Sequence, residues 1–78
     1  IGVNIFFKVN RFLASLMNGQ HEYKASIEEI HHTEKKDAPS GTAITLAEGI
    51  LEELKEVKSW ELNQGHTTAA GVLPITSK

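Results

Sequence analysis

An α+β fold of α/β-like order, with helices packed on an open sheet, is expected from two observations. Residues 4–18 and about 39–56 repeat apolar side chains every three or four positions, the period of a helix with one buried face. Residues 23–32, 57–62 and 72–77 carry the alternation, or the apolar β-formers, of strands. At 78 residues only one domain fits. Its core is thin, because so short a chain buries only about 60–65% of its unfolded surface.

The first helix places Ile5, Val9, Phe12, Leu13 and Leu16 on one stripe, widened by Phe6 and Met17. Asn4 suits an N-cap, Gly19 suits the helix end, and the stripe is expected to cover a sheet. In the strand that follows, Tyr23, Ala25, Ile27, Glu29 and His31 share one face. Its polar residues gather at the C-terminal end, where open α/β sheets bind ligands. Residues 33–38 read as a loop, and Pro39 fits the first turn of the second helix. Ala43, Ile44, Leu46, Ala47, Ile50, Leu51 and Leu54 then form a stripe running to about Glu56, with Glu48, Glu52, Glu53 and Lys55 in water. Gly49 lowers this helix's propensity by about 1 kcal/mol relative to Ala. Val57, Trp60 and Leu62 mark a short strand, and 63–68 is polar and turn-like. Pro74 marks the last strand as an edge strand or an irregular one.

Composition excludes several classes. Cys is absent, so no disulfide or thiolate metal site supports the thin core. A net charge of −2 and a pI near 6.1 argue against a dedicated nucleic-acid binder. No apolar run approaches the roughly 20 residues of a membrane span. No export signal is visible. His21, His31, His32 and His66 form no compact ligand pattern, so no metal is expected. There is no Gly-rich dinucleotide fingerprint and no Walker loop. The chain starts at Ile1 and reaches Lys78 within a strand pattern, as a piece of a longer protein would.

The chemistry concentrates in residues 29–43. Pro39-Ser40-Gly41-Thr42 opens a helix, whose free N–H groups and positive dipole end favour a carboxylate or phosphate. Gly41 lets a ligand approach the backbone, and Thr42 adds a hydroxyl donor. Lys35 and Lys36 add positive charge, and His31 and His32 exchange protons near neutral pH. Each part also has a plain reading. Ser-Gly-Thr is often only a cap, adjacent His can be surface residues, and Lys-Lys-Asp can be a solvated turn. From chemistry alone, an anion site and an incidental polar loop on a non-enzymatic helix–sheet interaction or oligomerisation module both stand.

The run Glu29-Ile30-His31-His32-x-x-Lys35-x-Asp37-Ala38-Pro39-Ser40-Gly41-Thr42-Ala43 resembles the signature of the 4-hydroxy-tetrahydrodipicolinate (dihydrodipicolinate) reductases. Ile1-Gly2-Val3-Asn4 and Gly65-His66-Thr67 resemble the family more loosely. The resemblance implies that residues 1–78 are part of a C-terminal substrate-binding and tetramerisation domain, an open mixed sheet with helices. The N-terminal Rossmann-type domain that takes NADH or NADPH would lie outside this chain, so no cofactor-binding residue is expected within it. It further implies a cytoplasmic homotetramer of lysine and diaminopimelate biosynthesis acting on a cyclic dicarboxylate, with no nucleic-acid or membrane partner. His31 matches the family's proton donor or acceptor, and Lys35 a second proton donor that also attracts substrate. His32, Gly41 and Thr42 match substrate contacts.

Overall fold

The computed structural model describes residues 2–30 and 38–78. Two helices and three strands follow in the order α1 (Gly2–Leu16), β1 (Ile27–Glu29), α2 (Gly41–Glu53), β2 (Ser59–Leu62) and β3 (Val72–Ser77). The strands form one sheet, β1-β3-β2, paired in parallel throughout. Helices segregate onto a small sheet, as the α+β expectation requires. The mixed sheet implied by the family resemblance would need an antiparallel strand, and none is among the described residues.

The core lies between α2 and the sheet. Ala43, Ala47, Ile50 and Leu54 recur at helical spacing and are buried against Leu73 and Ile75 of the central strand. Ile27, Leu51, Val57, Trp60 and Met17 pack around this cluster. Leu54 leaves the helix with extended dihedrals, φ −99° and ψ 101°. The second helix therefore stops at Glu53, short of the expected Glu56. A physical cause is visible: the Asn18 side chain accepts the Lys55 N–H at 2.8 Å and donates to the Glu53 carbonyl, capping α2 from the turn after α1.

The first helix corrects the sequence reading most. Asn4 lies inside α1, which begins at Gly2, so it is no N-cap. The expected stripe does not cover the sheet. Ile5, Phe6, Val9, Phe12, Leu13 and Leu16 are all more than half exposed. The face that meets α2 instead carries Asn10, Arg11 and Ala14, with Ala14 buried. The Asn10 amide donates to the Leu46 carbonyl at 3.0 Å, and Arg11 pairs with Glu52. Gly49 makes this approach possible, since a Cβ there would lie 3.1 Å from Arg11 Cγ and 3.3 Å from Asn10 Nδ2. The turn after α1 ends on Gly19 at φ 82°, the left-handed conformation expected of it.

Strand β1 covers Ile27–Glu29 of the expected 23–32, so 23–26 and Ile30 are not strand, while residues 31 and 32 lie outside the described residues. Pairing with β3 begins only at Ile27↔Ile75, which leaves residues 23–26 outside the ladder. Strand β2 likewise starts at Ser59, not Val57. Pro74 also needs correction, since β3 is the central strand and no edge. The Gly71 and Ile75 carbonyls accept from Lys58 and Asn63, so odd-numbered residues of β3 face β2. Alternation turns the Pro74 nitrogen toward the β1 flank, before β1 has begun at Ile27↔Ile75. The missing donor therefore breaks no ladder.

The nine residues 63–71 carry the chain from the end of β2 to the start of the parallel β3. Buried Asn63 organises the first half of this loop. Its amide donates to the His66 carbonyl at 2.9 Å and to Thr68 Oγ1 at 2.8 Å, and its oxygen accepts the Gly65 N–H at 2.8 Å.

Candidate anion site at the start of the second helix

Two elements frame the segment singled out by sequence. Strand β1 ends at Glu29, and α2 begins at Gly41 beside the same end of the sheet. This is the C-terminal end of the parallel strands, the side on which such sheets bind ligands. The larger surface groove lies at the opposite end, lined by Tyr23, Ser26, Thr68 and Pro74. It holds none of the residues expected to carry chemistry.

The start of α2 can be accounted for donor by donor. Ser40 is the N-cap, with φ −69° and ψ 162°, and its Oγ accepts the Ala43 N–H at 3.1 Å. Pro39 therefore stands outside the helix, correcting its expected place in the first turn. The Ser40 N–H donates to Glu29 Oε2 at 3.0 Å. The Ile44 N–H donates to the Ser40 carbonyl at 3.0 Å, the first bond of the helix. Two N–H groups remain without a partner among the described residues, those of Gly41 and Thr42. Both residues are exposed. A pair of adjacent, unsatisfied donors at the positive end of a 13-residue helix is suited to one carboxylate.

Gly41 has a second property. Its φ is not positive, and among the described residues no atom lies within 4 Å of where a Cβ would stand. Neither backbone conformation nor internal packing calls for glycine here. The open space lies against a helix N-terminus, where a ligand would approach. Thr45 does not compete for it, since its hydroxyl bonds back to the Gly41 carbonyl at 3.0 Å.

Of the five residues expected at the site, the structure places Gly41 and Thr42 side by side with their donors free. His31, His32 and Lys35 lie outside the described residues. Among the described residues no three metal-ligating side chains come together. Sequence reading did not single out Glu29 for its bond to α2. Its place as the first residue of the signature run was the available signal.

A family model described as "Dihydrodipicolinate reductase, C-terminus" matches residues 2–76. The chain belongs to this family. Its relatives include proteins named 4-hydroxy-tetrahydrodipicolinate reductase. That of Christiangramia forsetii is 53% identical over 64 residues, 82% of this chain and 27% of the relative. That of Archaeoglobus fulgidus is 41% identical over 78 residues, the whole of this chain and 28% of the relative. That of Methanocaldococcus jannaschii is 56% identical over 50 residues, 64% of this chain and 17% of the relative. The chain thus spans about a quarter of the length of the first two. No solved structure gives a significant match. The match over 2–76 takes in both helices and nearly all of the sheet.

Proposed function

We propose that the protein containing this chain is an NAD(P)H-dependent 4-hydroxy-tetrahydrodipicolinate reductase of lysine and diaminopimelate biosynthesis, and that residues 1–78 are a partial substrate-binding and tetramerisation domain. The observation that carries this reading is the pair of free N–H groups on Gly41 and Thr42, in a chain of this family. They receive one carboxylate of the cyclic dicarboxylate, with the Thr42 hydroxyl as a further donor. His32 contacts the same substrate. Lys35 attracts the dianion by charge and serves as a second proton donor. His31 holds the proton that the ring gains when it is reduced.

The described residues contain no Gly-rich strand–turn–helix that would cradle a dinucleotide. Following the family resemblance, NADH or NADPH is assigned to a Rossmann-type domain outside this chain, where it supplies the hydride. The exposed stripe of α1 supports assembly of the parent as a homotetramer. The parent is taken as a cytoplasmic enzyme without nucleic-acid or membrane partners, as the family resemblance implies.

The test is binding of pyridine-2,6-dicarboxylate, a flat mimic of the substrate, to the full-length parent. Thr42→Val keeps the side-chain shape and removes a hydroxyl donor to a charged group, worth about 1.5–3 kcal/mol. Affinity should fall roughly tenfold or more. Unchanged affinity in a folded variant would remove the Thr42 hydroxyl from the site.

A further inference from the structure

Helices commonly satisfy their first donors in a reciprocal pair. The N-cap side chain takes the N–H three residues on, and an acidic or amide side chain at that third position takes the N-cap's own N–H. The first half is present here, from Ala43 N–H to Ser40 Oγ at 3.1 Å. The second half cannot be local, because the third position is Ala43, which has no acceptor. Its place is taken by Glu29, whose Oε2 accepts the Ser40 N–H at 3.0 Å from the end of β1. Glu29 and Ser40 are eleven residues apart and both are half-buried.

We infer that Glu29 is a positioning residue for the substrate site, closing a capping pair between strand and helix that holds the Gly41 and Thr42 donors at the end of the sheet. This rests on the reading of Gly41 and Thr42 as carboxylate donors. A local capping pair would fix only the first turn of α2. This one ties that turn to the end of the sheet, at the two points where residues 30–39 leave and return. It also decides which donors are offered. With the Ser40 N–H engaged by Glu29 and the Ala43 N–H by Ser40, only the Gly41 and Thr42 groups face an incoming anion.

The experiment uses the full-length parent and three variants, Glu29→Ala, Glu29→Gln and Thr42→Val. The dissociation constant of pyridine-2,6-dicarboxylate is measured together with kcat and KM. Glu29→Ala should weaken binding and raise KM by about tenfold, the scale of a hydrogen bond to a charged group. Glu29→Gln keeps an acceptor oxygen at the same reach and should restore binding to within about threefold of the native protein. Restoration by the amide separates a hydrogen-bonded clamp from a general need for charge. If Glu29→Ala binds the dicarboxylate as the native protein does, or if Glu29→Gln is as weak as Glu29→Ala, the inference is overturned. Should Glu29→Ala not fold, Glu29→Asp takes its place, since the shorter side chain withdraws the acceptor; the same loss supports the clamp and native affinity overturns it. Thr42→Val separates the two readings. Weak binding there with native binding in Glu29→Ala sinks the clamp alone, while a native parent that does not bind the dicarboxylate sinks the site.

Discussion

His31 and Lys35 divide the proposed chemistry between a proton and a charge, and their variants should separate the two. In the parent, His31→Ala should lower kcat by about 10²- to 10⁴-fold, the usual worth of a general acid or base. KM should move less, because a proton donor acts mainly in the transition state. Lys35→Ala should damage both kcat and KM, and its binding contribution should shrink as salt rises. A folded His31→Ala with native kcat would pass the role to His32. Away from the site, the Arg11 guanidinium holds the Glu52 carboxyl below the usual carboxylate range, first by hydrogen bonding and then by charge. A carboxyl depressed in the folded state stabilises it above the unfolded value and loses that contribution as pH falls through the folded one. The α1–α2 tie should therefore weaken only in acid, below the ordinary carboxylate pKa. Melting curves of the native protein and Glu52→Gln should converge there. Ser40, Gly41 and Thr42 were legible in sequence because capping is local chemistry. The Glu29 contact was not, because it is tertiary and depends on where β1 ends.

Among the elements, α2 matches its sequence pattern most closely. Its stripe of Ala43, Ala47, Ile50 and Leu54 meets the sheet as periodicity requires. Strand β1 was overread over 23–26, since alternation says nothing of where pairing with β3 begins. For α1 the pattern located the apolar face but not what it touches. Contact with α2 is made by smaller and polar residues fitted around Gly49. That seam makes a prediction with a change of sign. Gly49→Ala gains about 1 kcal/mol of helix propensity but forces a contact at a core-like seam, where overpacking costs about 1–3 kcal/mol. The net effect on the native background should be a loss of about 1 kcal/mol. With Arg11→Ala removing the obstructing Cγ, the same substitution should stabilise. Denaturant melts of the four proteins close the cycle. Equal effects of Gly49→Ala in both backgrounds would show that Arg11 is no obstacle.

The whole molecule is a thin plate, 38 × 35 × 16 Å, with one side of a helix left bare. Its radius of gyration of 12.6 Å exceeds the roughly 11.5 Å expected for a compact chain of this length. An apolar stripe of six large side chains on α1 is more than isolated soluble domains usually leave in water. The 78 residues alone should therefore self-associate, with mass rising with concentration by light scattering. A monodisperse monomer at high concentration would contradict this. The same 78 residues should not turn over NADH and substrate, because hydride chemistry belongs to the cofactor and its proposed domain lies elsewhere. Measurable turnover by this segment alone would show that the division of labour is wrong. Chain length announced the thin core. It could not announce the flatness, which follows from pairing order and from which helix face finds a partner.

Pro74 has a consequence for how the molecule keeps its own copies apart. The half of β3 that runs from Val72 to Pro74 faces β2 on one side and lacks a strand on the other. Such bare backbone is the template on which fibres grow, each new chain adding its amides to the last. A proline there withholds the one donor that a stray strand would bond. Pro74→Thr would supply the donor and a β-branched side chain. The variant segment should seed thioflavin-positive fibres faster than the native one, and equal lag times would show that the proline guards nothing.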